Sequence, residues 1–199
     1  SNSPTLGEYF LVNNPDAVLT LSTNAGNDVV NVGAVSQSAQ VNAGAGDDTV
    51  SVGYGTNKLD MITAPVTVNA GGTLSPGQSP GNLATSAVTF VVGSFYAVEL
   101  NGATPGTQYD RTDVTGSVTL GNATLVLTLG FTPAAGSSYV IVRNDGGDAV
   151  GGTFLGFGNG ATITVGATSF RIFYTGNDGN DVVLVEATAP GTTYVDDVW

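Results

Sequence analysis

The chain contains no cysteine and no histidine. Without cysteine there is no disulfide framework and no thiolate metal site. Without histidine, the Ser-His-Asp and Cys-His catalytic arrangements are excluded, together with the commonest transition-metal ligand. Basic residues are scarce as well. Four Lys and Arg stand against sixteen Asp and Glu, for a net charge of −12. Neutralising phosphates takes lysines and arginines, so neither nucleic acid nor an anionic membrane surface is an expected partner. Cations, neutral glycans and other copies of the chain remain. No apolar run approaches the roughly 20 residues of a membrane helix, so membrane insertion is not expected. The opening Ser1-Asn2-Ser3-Pro4 lacks the basic and apolar regions of a signal peptide and reads as a mature or excised start.

What is abundant is apolar and β-branched. The 199 residues are 41% apolar and only 10% charged, enough for a core and unlike a disordered chain. Short alternating runs recur throughout: Ala17–Ser22, Asp28–Val32, Asp48–Val52, Ala87–Val92, Ala123–Leu129, Phe170–Tyr174 and Asp181–Val185. Gly, Pro or Asx punctuates nearly every gap between them, the pattern of an all-β chain. One phrase is used three times, as Gly26-Asn-Asp-Val-Val30, Gly46-Asp-Asp-Thr-Val50 and Gly179-Asn-Asp-Val-Val183. Gly and Asx accept the left-handed backbone of a tight turn, and the β-branched pair then starts a strand. The first two copies place Asp28 and Asp48 20 residues apart (48 − 28), about one coil of a solenoid. The spacing therefore predicts a right-handed parallel β-solenoid. The alternative is a solenoid N-terminal part followed by a β-sandwich-like C-terminal part. The expected divisions are 1–70 as coils of the 20-residue repeat, 71–186 as a second β region, and 187–199 as a tail able to dock as a strand.

At Gly71-Gly-Thr-Leu-Ser-Pro-Gly-Gln-Ser-Pro-Gly81 the chain resembles the autotransporter-associated β-strand repeat. Gln108–Leu120, Gly130–Gly136, Gly152-Thr-Phe154 and Tyr174–Leu184 resemble later segments of the same family, so the likeness covers about residues 70–186. It implies a bacterial surface or secreted β-helical passenger, adhesive or structural, and it supplies no catalytic residue. Ala43-Gly-Ala-Gly-Asp-Asp-Thr-Val-Ser51 separately resembles the calcium-binding nonapeptide of RTX proteins, with Ala43 in place of the first Gly.

Stacked coils bring equivalent residues about 4.8 Å apart, so Asp28, Asp47 and Asp48 would share a ladder in which a cation relieves like-charge repulsion. Calcium accepts such carboxylate and carbonyl oxygens, which makes Asp28, Asp47, Asp48, Asp178 and Asp181 the candidate metal ligands. The competing role for each is closure of its turn by side-chain-to-backbone hydrogen bonds. Asp145 and Asp148 carry the same two readings. Asp110 and Asp113 flank Arg111 and invite a glycan-hydrolysing pair, but a surface ion pair is the simpler role, and no nucleophile–base set can be assembled. The chain is therefore expected not to be an enzyme. Phe154, Phe157, Phe170, Phe173 and Tyr174 cluster late, either as core or as a sugar platform. Tyr194, Val195, Val198 and Trp199 are the candidate self-association residues, in a tail that follows Pro190-Gly191 and holds the only Trp. The expected function is an extracellular bacterial structural protein: a surface stalk, a matrix component or a self-assembling filament subunit. An adhesin module binding glycan or a surface is the alternative, and a polysaccharide-active enzyme the third.

Overall fold

The computed structural model describes residues 9–13, 19–23, 25–34, 39–42, 48–52, 59–76, 80–145 and 147–187. Among them lie sixteen strands: β1 (Tyr9–Asn13), β2 (Leu19–Ser22), β3 (Val29–Ala34), β4 (Ala39–Asn42), β5 (Asp48–Val52), β6 (Leu59–Val68), β7 (Gly72–Pro76) and β8 (Asn82–Phe90). These are followed by β9 (Phe95–Leu100), β10 (Arg111–Val114), β11 (Val118–Thr119), β12 (Thr124–Leu129), β13 (Ser138–Asn144), β14 (Thr162–Val165), β15 (Thr168–Gly176) and β16 (Asp181–Glu186). No helix occurs among the described residues. The expected all-β character holds.

The strands form two sheets. One has six strands in the order β1-β3-β5-β7-β9-β12, with every neighbouring pair parallel. The other has ten, in the order β14-β15-β16-β13-β10-β8-β6-β4-β2, with β11 paired to β8. The 20-residue spacing is visible in the register, since Val29 pairs with Thr49 and Leu19 with Ala39.

The right-handed parallel β-solenoid is nevertheless corrected, because the ten-stranded sheet is mixed. Its β13–β16, β15–β16 and β14–β15 pairs are antiparallel. The physical reason lies in the turns. Val165 pairs with Thr168 across only Gly166 and Ala167, and Gly166 holds a φ of 60°. Closing so short a loop costs far less chain entropy than a return of 20 residues. The third copy of the Gly-Asx-Asp phrase behaves the same way. Gly176 pairs with Asp181, and positive φ at Asn177 (52°) and Gly179 (116°) turns the chain straight back on itself. The same phrase that precedes parallel strands at Asp28 and Asp48 thus makes a hairpin at Asp181. The alternative of a solenoid followed by a sandwich-like part fails too, because β14, β15 and β16 extend the very sheet that carries β2, β4 and β6.

Alternation in the strands builds the core between the sheets. In β9 every second residue is buried, giving Tyr96, Val98 and Leu100; in β8 the buried set includes Leu83, Val88 and Phe90. Tyr96 crosses the gap. It donates from its hydroxyl to the Ile141 carbonyl at 2.8 Å, so the Thr112 hydroxyl at 2.9 Å must be the donor to it. Its ring stacks on Phe154 at 5.8 Å and meets Phe90 edge-on at 5.4 Å. The chain changes sheet from β11 to β12 at Gly121-Asn122, whose φ values of 52° and 58° and closing bond from Ala123 N–H to Leu120 O define a type I′ turn. Beyond β13 the ten-stranded sheet curls over the end of the core, and β14 comes back toward β12.

Candidate functional site

The acidic turns are resolved in part. Asp28 is buried just ahead of β3, and its neighbour Val29 stacks on Thr49, the residue after Asp48. Asp48 itself stacks on Gly72, so the ladder of acids does not extend into the next strand. Asp48 is the first residue of β5, but its side chain, like all of Asp47, lies outside the described residues. Asp178 is exposed in the β15–β16 turn. Asp181 is fully buried, and its carboxylate accepts from Asn144 N–H at 2.8 Å and from Asn177 Nδ2 at 2.9 Å. Asn144 and Asn180 in turn both donate from Nδ2 to the Asp148 carbonyl, at 2.8 and 3.2 Å. The Asn144–Asp148 loop and the 176–181 turn, 30 residues apart in sequence, are therefore fastened together by Asx side chains. Among the described residues, no group of three or more acidic side chains is close enough to hold a metal ion. At Asp181 both oxygens already serve donors of the protein, the chemistry of a turn-closing carboxylate. Tyr194, Val195, Val198 and Trp199 lie outside the described residues.

Asp110 and Asp113 take separate duties. Asp113 pairs with Arg111 at 2.8 Å and lies 3.7 Å from Arg143, and it also accepts from Asn82 Nδ2. Asp110 is buried ahead of β10 and accepts from Gly81 N–H at 2.6 Å and Glu99 N–H at 2.8 Å. Burial pushes its carboxyl up to about 6, the two amide hydrogen bonds pull the other way, and the Glu99 charge adds a smaller upward push. Burial likewise raises the hydroxyls of Tyr96, Tyr109 and Tyr174.

Of the late aromatics, Phe154, Phe170 and Tyr174 are core. Phe173 is the exception. It faces outward from β15 and lines a groove of about 310 Å³ together with Val140, Val183, Val185, Ser138, Thr175, Gly176 and Asn177. Two cross-strand rows build this surface. Phe173 lies opposite Val183, which lies opposite Val140; Arg171 lies opposite Val185, which lies opposite Ser138. Val183 is only 6% exposed although it lies outside the core cluster. Gly176 makes that possible, because a Cβ there would collide with the Val183 γ2 methyl. Arg171 is exposed, and among the described residues the ion pairs involve Arg111 and Arg143 but not Arg171.

Sequence reasoning missed this groove, yet a signal was present. Asp181-Val-Val-Leu-Val-Glu186 is apolar on both faces, the composition of a strand covered on both sides rather than one half-exposed.

A second surface is the edge strand β12. Thr124 N–H bonds Ser94 O and Gly130 N–H bonds Leu100 O, so the even-numbered backbone groups face β9. Those of Leu125, Leu127 and Leu129 face the other way, where no strand among the described residues is paired. The strand carries no charge, and Val126 is 42% exposed.

No protein-family model, no curated protein and no solved structure matches this chain.

Proposed function

We propose that this chain is an extracellular bacterial structural protein, a subunit that joins further copies of itself end to end. The observation that carries the reading is the unpaired side of β12, a six-residue, uncharged edge strand with outward-facing backbone donors and acceptors. Natural sheets blunt such edges with charge, proline or a cover, because an open one recruits another strand. The opposite edge of the same all-parallel sheet is β1, so β1 of one copy laid on β12 of the next continues the ladder without changing its sense. A contact between two different surfaces propagates into an open filament. The resemblance at Gly71–Gly81 to surface passengers supports the extracellular setting. The charge of −12 sets copies against one another, so salt should promote association, and calcium held at the acidic turns of Asp28 and Asp48 would do so more strongly.

Negative-stain electron microscopy of the native chain, with and without a chelator, tests the reading. Filaments are expected, and their loss on chelation would assign calcium a part in the contact. Isolated particles under both conditions sink the proposal. Val126→Lys places a charge on the exposed face of the edge and is expected to abolish filaments while changing stability by no more than about 0.5 kcal/mol. Filaments of unchanged length in that variant would move the contact away from β12.

A further inference from the structure

The groove on the outward face of β13, β16 and β15 needs an occupant, and the chain itself carries one of matching chemistry. Val140, Phe173, Val183 and Val185 give it an apolar floor and walls, and Arg171 stands at one end of it. A partner must therefore be apolar with a negative charge at one point. Residues 194–199, Tyr-Val-Asp-Asp-Val-Trp, combine Val195, Val198, Tyr194 and Trp199 with Asp196 and Asp197.

We propose that residues Tyr194–Trp199 of the same chain seat in this groove, folded back over β16 by a turn at Pro190-Gly191. The spacing supports it. The described chain ends at Ala187, whose N–H bonds Ser169 O, directly after the strand that floors the groove. Pro followed by Gly is the sequence of a type II turn. With those two residues at the centre of the reversal, 189 lies over 192, 187 over 194, 185 over 196 and 183 over 198. Asp196 then comes over Val185, in the row that holds Arg171, and Val198 comes over Val183, in the row of Phe173 and Val140. The tether of residues 188–193 is short, so the segment is present at its own groove at an effective concentration on the order of millimolar. That favours its own chain over a second copy. The seat also accounts for the apolar character of both faces of β16. It lies apart from the β12 edge, and its success or failure is independent of filament formation.

The absence of cysteine allows a direct test in the full chain. Val140→Cys and Val198→Cys are introduced together and treated with a short bis-maleimide, which spans thiols too far apart for a disulfide. An intramolecular cross-link is expected, formed by the monomer at a rate independent of protein concentration. No cross-link in the folded double variant overturns the proposal. A cross-link found only between chains overturns it in favour of a second copy as occupant. Adding Arg171→Glu, an exposed position whose change leaves the fold intact by thermal melting, is expected to slow the cross-link several-fold. An unchanged rate would remove Arg171 from the recognition and overturn the charge match on which the choice of segment rests.

Discussion

Tyr96→Ala is expected to lower stability by about 4 kcal/mol, a large share of the roughly 5–15 kcal/mol that holds a domain together. Three losses combine. The ring is fully buried between Phe154 and Phe90, so its removal opens a cavity where both sheets contribute the lining. The Ile141 carbonyl loses its donor and the Thr112 hydroxyl its acceptor, each in a place water does not reach. Tyr96 also projects from the six-stranded sheet while both hydrogen-bond partners belong to the ten-stranded one, so the contact ties the layers in register. Tyr96→Phe keeps the packing and removes the hydroxyl alone, for an expected loss of about 1–3 kcal/mol. Denaturant unfolding measures both. A drop in midpoint at unchanged slope is expected, and a cost for Tyr96→Ala no larger than that of Tyr96→Phe would show that the ring contributes nothing beyond its hydroxyl.

The second large effect is a pH dependence set by Asp110. Its carboxyl is pushed up to about 6 in the folded chain from the ordinary 3.8, chiefly by burial. The folded chain therefore holds this proton where the unfolded chain has released it. Asp110 contributes most below about pH 4, and its contribution falls as pH rises through about 6. A rise of about two units corresponds to about 3 kcal/mol between those limits. The other carboxylates titrate as well, so the informative quantity is the difference between the parent and Asp110→Asn measured at several pH values. The variant is expected to lack this fall between pH 4 and 6. It should also lose one of the two amide hydrogen bonds, because the side-chain NH2 then faces either Gly81 N–H or Glu99 N–H, donor against donor. Parallel pH curves for the two proteins would mean that Asp110 titrates normally.

Much of the strand pattern was legible along the chain, because alternation in runs such as Ala123–Leu129 is a local property. So was the 20-residue step that stacks Val29 on Thr49. The sense of pairing late in the chain was misread. Gly179-Asn-Asp181 carries the same residues as the earlier turns, and a Gly-Asx turn is equally able to start a new coil or to reverse a strand. The site was legible only in fragments. Asp181 and Asn144 are 37 residues apart, and nothing local says that the amide of one meets the carboxylate of the other. Phe173, Val183 and Val140 come from three strands whose order in the sheet, β15-β16-β13, is not their order in the chain.

The sequence by itself determined that the chain is all-β, that it has no thiol or imidazole chemistry, and that its turns sit at Gly and Asx. These follow from composition and period-two alternation, which need no knowledge of neighbours. Only the tertiary structure decided that the final strands run antiparallel, that Asp110 is buried against two amides while Asp113 meets arginines, and that an apolar groove opens beside Arg171. Each of those depends on which strand lies beside which, and that choice is made by turn closure and packing between residues far apart in the chain.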